Sequence, residues 1–221
     1  MQQFKNCDSL SAPDVMNQLQ RDFLVECTRD KAYRAKKLAN QAIEGSYKEQ
    51  YAKLWDYGAE LLATNPGSTV QFQTENVGDG KPVFKRMYVC FKGCKDGFKH
   101  CRPVIGFDGC HIKGHHTGQL LMAIGIDANN GIYLIAYAVV ESECKSSWTW
   151  FLDFLKVDLS IVNGHHWTFI SDKQKGLQEA LSGMWEEGSV QAEHRHCARH
   201  LQSNFTKVTS QFWFICSHII C

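Results

Sequence analysis

The chain has 221 residues, with 24 Lys and Arg against 23 Asp and Glu for a formal net charge of +1. That length suits one ordinary domain plus an appended module, and the near-neutral balance excludes a uniformly basic or acidic binding protein. No apolar run is long enough to span a bilayer, Met1 to Asn6 does not open a signal peptide, and the 10 cysteines contain no C-x-x-C pair, so they read as reduced thiols of the cytosol or nucleus.

Residues 1 to about 65 carry helical periodicity. SAPDVMNQLQRDF has a Ser-x-x-Asp start, with Val15, Leu19 and Phe23 at helical spacing. TRDKAYRAKKLANQAIEG is a second helix with Thr28 as cap and Gly45 as stop. SYKEQYAKLWDYGAELLATNPG is a third, striped by Tyr47, Tyr51, Leu54, Tyr57 and Leu61 and ended by Asn65-Pro66-Gly67. The middle helix is basic, through Arg29, Lys31, Arg34, Lys36 and Lys37. A helix-turn-helix DNA reader would have this pattern, and so would a plain helical bundle with a solvated basic face.

The period changes to two over TVQFQTEN and PVFKRMYVCF, a hairpin around Gly-Asp-Gly. GCKDGFKHCRP is a short helix or loop. From Lys81 to Lys113 the chain is basic again, through Lys81, Lys85, Arg86, Lys92, Lys95, Lys99, Arg102 and Lys113. PVIGFDG is then a strand ending at Asp108, and GQLLMAIGIDANNGIYLIAYAVVES is two apolar strands around an Asn-Gly turn. SSWTWFLDFLKVDLS is an amphipathic helix with Trp148, Phe151, Leu152 and Leu155 on one face. WTFISD is a strand ending in Asp172, KGLQEALSGMW a helix, VQAEHRHC a strand and ARHLQSNFTKV a helix. The order β-β-β-α-β-α-β-α predicts an α/β fold, a mixed sheet with helices on both faces.

Asp108 and Asp172 close apolar strands, where α/β sheets build their sites. Side by side, two carboxylates repel, and a divalent cation between them removes that cost. Hard cations such as Mg²⁺ suit carboxylate oxygens, and two ions so held activate a nucleophile and stabilise a leaving oxygen in phosphoryl transfer. Each Asp alone reads equally as a turn or cap residue. Asp127 reads as a turn residue, and Glu141 and Glu143 as loop or helix-entry residues.

FDGCHIKG, the long hairpin, ESECKSSWTWFLDFL, ISDKQKGLQEAL and HRHCARHLQSNF, in that order, resemble the plant Mutator-like element (MULE) transposases. AYRAKKLA, the NPGS turn and GFKHCRP resemble the segment that precedes that domain, so the resemblance spans residues 12 to about 207. It implies a ribonuclease-H-like sheet with a DDE triad whose first two members fall on Asp108 and Asp172, using Mg²⁺ or Mn²⁺. It implies DNA as partner, at transposon ends and target, with work in the nucleus, no membrane, and a homo-oligomer as one option. The family's Cys-x-x-His falls on Cys197 and His200, with His194 and His196 just before. These are candidate zinc ligands or packed structural residues. Arg29, Lys31, Arg34, Lys36, Lys37, Lys113, Arg195 and Arg199 are the candidate DNA contacts.

The resulting organisation is a helical module over 1–67, a β-hairpin connector over 68–101, the ribonuclease-H-like domain over 102–208 and a divergent tail over 209–221. The resemblance fades after Asn204-Phe205, and TKVTSQFWFICSHIIC contains no Asp or Glu. The family's catalytic Glu is expected there, so the chain reads as a truncated transposase core with little strand transfer of its own. A transposase-derived DNA-binding regulator is the alternative, and a scaffold or dimerisation fragment a third reading.

Overall fold

A computed structural model describes residues 11–44, 47–77, 81–112, 118–186 and 188–202. The chain divides into two compact units, Met1–Gly58 and Ala59–Cys221.

In the first unit, helix α1 (Ala12–Phe23) starts on a capping box: Ser11 accepts from the Asp14 N–H, and the Asp14 carboxylate accepts from the Ser11 N–H at 2.9 Å. It ends where Leu24 turns left-handed at φ 53° and its N–H bonds back to Gln20. Of the expected stripe, Phe23 is not buried; it is 63% exposed. Helix α2 (Arg29–Glu44) packs on α1, and the Thr28 hydroxyl accepts the Lys31 N–H as a cap. The stop expected at Gly45 lies outside the described residues. The single third helix is in fact two, α3 (Tyr47–Ala52) and α4 (Leu54–Thr64), and Tyr51 and Tyr57 on its stripe are exposed.

The second unit is built on one seven-stranded sheet in the order β1-β2-β5-β4-β3-β6-β7. Its strands are β1 (Thr69–Val77), β2 (Lys81–Cys90), β3 (Val104–Ile112), β4 (Gly118–Ile126), β5 (Ile132–Val140), β6 (Thr168–Ser171) and β7 (Glu193–His196). β1 to β5 pair antiparallel, while β3 with β6 and β6 with β7 pair parallel. The hairpin over 69–90 is therefore two strands of the same sheet, hydrogen-bonded through β2 to β5. The Asp127 carboxylate closes the β4–β5 turn by accepting the N–H groups of Asn129 and Gly131, with Asn130 at φ 66°.

Helices α5 (Lys92–Phe98), α6 (Lys145–Asp158) and α7 (Lys175–Ser182) all contribute to a single apolar cluster. Ile105, Phe107, Leu121, Ala123, Ala138 and Phe169 supply the sheet side of it, and Phe98, Trp148, Phe151, Leu152, Leu155 and Leu177 the helix side. The four apolar residues expected on one face of α6 are all essentially sealed from solvent. Phe107 meets the rings of both Trp148 and Phe169 edge-on, an arrangement that adds to plain area burial. Because side chains alternate along a strand, Gly106 and Asp108 point away from the cluster that holds Ile105 and Phe107.

Two polar clusters fasten the outer strands to this core. Arg86, only 4% exposed, makes a bidentate pair with Glu141 and donates to the carbonyl and hydroxyl of Ser146. Asp158 accepts from the Thr69 and Tyr88 hydroxyls and pairs with Lys95 at 2.7 Å. These pairs change the reading of the second basic stretch. Lys85 faces Glu75, Lys92 and Lys99 share Asp96, and Arg86 and Lys95 are internal. Two of its cations, Arg86 and Lys95, are thus paired in the interior, and Lys85, Lys92 and Lys99 have acidic partners nearer the surface.

Candidate functional site

The site begins with β3 register. β3 does not end at Asp108, as the apolar run suggested; it continues to Ile112, and Asp108 pairs with Met122 of β4. What ends near Asp108 is the parallel neighbour. The β3–β6 ladder runs Val104–Thr168, Ile105–Phe169, Gly106–Ile170. Asp108, within β3, and Asp172, the residue just after β6, each stand two positions past the last of those pairs. β7 continues the row. Ser171 pairs with His196, the Cys197 N–H donates to the Ser171 carbonyl at 2.7 Å, and Cys197 is level with Asp172.

Asp108 is exposed and Asp172 half-buried. Each carboxylate accepts one backbone N–H with its Oδ1: Asp108 from Gly109 and Asp172 from Gln174, both at 2.9 Å. The second oxygen of each has no protein donor among the described residues. Two carboxylates with open oxygens at one edge of a sheet match the donor preference of Mg²⁺ or Mn²⁺. Such an ion would be held by Asp108 and Asp172 and would supply charge neutralisation to a phosphate. Among the described residues, no three His, Cys, Asp or Glu groups are close enough to ligate one ion together.

A third carboxylate reaches this edge from a residue read in the sequence as a helix-entry position. Glu143 lies between β5 and α6, half-buried. Its Oε1 accepts the indole N–H of Trp148 at 3.2 Å. Burial pushes its acid strength down, and the negative charges of Asp172 and then Asp108 add to that effect, against the Trp148 hydrogen bond and His111. Its pKa therefore lies above the ordinary 4.5. The missed signal is the glycine after Asp108. A Cβ at Gly109 would sit 2.9 Å from the Cδ and Oε1 of Glu143, so the Asp-Gly pair leaves room for this carboxylate.

Gln174 ties the two segments together. Its backbone N–H donates to Asp172, its side-chain amide donates to the Glu143 carbonyl at 3.1 Å, and its side-chain oxygen caps α7 at Leu177. At the second residue of α7, a Cβ at Gly176 would be 2.6 Å from the Lys145 nitrogen and 2.9 Å from the Cys144 carbonyl carbon. The helix thus meets the Glu143–Lys145 backbone at a distance only glycine allows.

The Cys-x-x-His residues do not converge as a zinc set among the described residues. The His194 Nε2 lies 2.8 Å from the Ser171 hydroxyl, and its ring centroid is 5.3 Å from that of His196. His194 is held below its ordinary value, first by burial and then by His196. The His200 Nδ1 is enclosed and has no hydrogen-bond partner among the described residues. Of the candidate DNA contacts, Arg29, Lys31, Arg34 and Lys37 are exposed and Lys36 half-buried on α2. Arg195 is exposed but paired with Glu193, Arg199 is exposed, and Lys113 lies outside the described residues, as does the segment after residue 202.

Residues 104–204 match the family model of the MULE transposase domain. That span takes in Asp108, Glu143, Asp172 and the Cys-x-x-His residues. No curated protein matches the chain. The matched stretch is thus similar to transposase domains, for which DNA is the interaction implied. No helix among the described residues is long and apolar enough to cross a membrane.

Proposed function

We propose that the chain is a DNA transposase core of the MULE type, with a ribonuclease-H-like sheet that carries a divalent-cation site at Asp108 and Asp172. The observation that supports the reading is the parallel β3–β6 register, with Asp108 and Asp172 each two positions past its last pair and inside the matched span. The strand order β5-β4-β3-β6-β7, with antiparallel β3 to β5 followed by parallel β6 and β7, supports the same fold. The reaction is hydrolysis of a phosphodiester at an element end, followed by attack of the freed 3′ hydroxyl on target DNA. Asp108 and Asp172 would hold Mg²⁺ or Mn²⁺, which when bound would supply charge neutralisation to the phosphate, and the exposed cations of α2 and Arg199 are the candidate contacts to the DNA backbone. Such chemistry acts on nuclear DNA.

The test is nicking of duplexes that carry element ends, with Mg²⁺, with Mn²⁺ and with chelator. The reading requires that any nicking by this chain depend on metal and be abolished by Asp108→Ala and by Asp172→Ala. Nicking that survives both substitutions sinks it. DNA binding that needs no metal, falls steeply with salt and is accompanied by no nicking would favour the alternative, a transposase-derived DNA-binding regulator.

A further inference from the structure

Glu143 is not explained by the two-aspartate reading. Its carboxylate is partly buried, directed at the backbone of Gly109, and held there by the indole N–H of a fully buried tryptophan. Among the described residues none of Asp108, Asp172 and Glu143 has a Lys or Arg ion-pair partner. Concentrating negative charge without a counter-charge costs folding free energy. Here the fold spends two glycines on the arrangement, one that admits the carboxylate beside Asp108 and one that brings α7 against the Glu143 loop. Gln174 then couples that loop to Asp172 through two hydrogen bonds.

We propose that Glu143 is a positioning carboxylate of the Asp108–Asp172 site, whose charge raises the affinity of that site for a divalent cation without serving as a direct ligand. The inference rests on the reading of Asp108 and Asp172 as the cation site. Glu143 acts from beside Gly109, behind the two aspartates, as carboxylates around metal ligands do when they set affinity from outside the ligand shell. Trp148 fixes its direction, and the α7 entry fixes its distance from Asp172.

The experiment is calorimetric titration of the full chain with Mn²⁺, with the thermal midpoint of each protein measured in chelator. The proteins are the parent, Glu143→Gln, Glu143→Asp and Asp172→Asn. Gln keeps the volume and the acceptor for Trp148 and removes only the charge. Glu143→Gln is expected to weaken Mn²⁺ binding by about tenfold while its metal-free midpoint stays level or rises, because a like-charge repulsion has gone. Glu143→Asp should recover part of the affinity, and Asp172→Asn should abolish binding. Equal Mn²⁺ affinity in the parent and Glu143→Gln overturns the proposal and leaves the two-aspartate site standing. So does a Glu143→Gln midpoint that drops along with affinity, which marks a structural role. No Mn²⁺ binding by the parent overturns the cation site itself, and this inference with it.

Discussion

Gly176→Ala is the substitution that most sharply tests how the site is held. The added Cβ would lie 2.6 Å from the Lys145 nitrogen and 2.9 Å from the Cys144 carbonyl carbon. Both are backbone atoms, which cannot rotate away, so α7 and the loop before α6 must separate by roughly 0.8 Å to reach ordinary van der Waals distance. Overpacking of this kind costs about 1–3 kcal/mol, and the better helix propensity of Ala returns about 1 kcal/mol of it. The expected net loss is therefore at most about 2 kcal/mol, measured as a shift in urea midpoint at constant m-value. The same retreat stretches the Gln174 amide bond to the Glu143 carbonyl, now 3.1 Å, so Mn²⁺ affinity should fall as well. Gly93→Ala is the control. Nothing lies within 4 Å of a Cβ there, and the position is inside α5, so it should stabilise by about 0.5–1 kcal/mol. A Gly176→Ala protein as stable as the parent, with unchanged Mn²⁺ affinity, would refute the packing argument.

The remaining expectations concern single groups. Arg86→Met should cost about 2–3 kcal/mol by urea unfolding, less than the 3–5 kcal/mol typical of breaking a fully buried pair, because the Glu141 side chain is 38% exposed. Burial raises the Glu141 acid, but the Arg86 hydrogen bonds and charge outweigh it and hold the group below its ordinary 4.5. Its contribution to stability is present above that value and is lost as pH falls through its lowered pKa. The acid limb of the stability profile should therefore flatten in Arg86→Met, and an unchanged acid limb would contradict the pairing. Gly109→Ala should change stability by less than about 1 kcal/mol, since the Cβ meets only the far end of the Glu143 side chain, yet weaken Mn²⁺ binding severalfold in calorimetry. Burial raises the Cys144 thiol, but hydrogen bonding with Ser146, Ser147 and Ser142 brings it down to about 7, whereas burial pushes Cys90 up to about 12. Peptide mapping after brief iodoacetamide treatment near neutral pH should find Cys144 alkylated and Cys90 intact; the reverse order would refute this.

Much of the sheet was legible because its signals are local. The alternation in TVQFQTEN, the Asn-Gly turn and the apolar stripe of Trp148, Phe151, Leu152 and Leu155 each depend on near neighbours in sequence. Asp172 after a short apolar strand was legible for the same reason. Three features were not. The end of β3 depends on pairing with β4, which carries the strand past Asp108 to Ile112. The charge compensation of Arg86 and Lys95 depends on Glu141 and Asp158, each more than fifty residues away. Glu143 looked like a helix-entry residue because its role arises only when β3 and β5 flank β4 and bring Gly109 under its carboxylate. The glycines at 109 and 176 were the visible trace of that approach, and each also reads as an ordinary turn or helix-start glycine until the chain is folded.

The central claim is that a divalent cation sits between Asp108 and Asp172. Fe²⁺ in place of Mg²⁺ or Mn²⁺, with ascorbate and peroxide, generates hydroxyl radicals at the bound ion and cuts the backbone nearby. The account predicts cuts clustered around residues 108–109, 143–144 and 172–173, suppressed by excess Mg²⁺ and absent from the Asp108→Ala, Asp172→Ala double variant. Cuts that map to the Cys197–His200 segment alone, or that persist in the double variant, would contradict it.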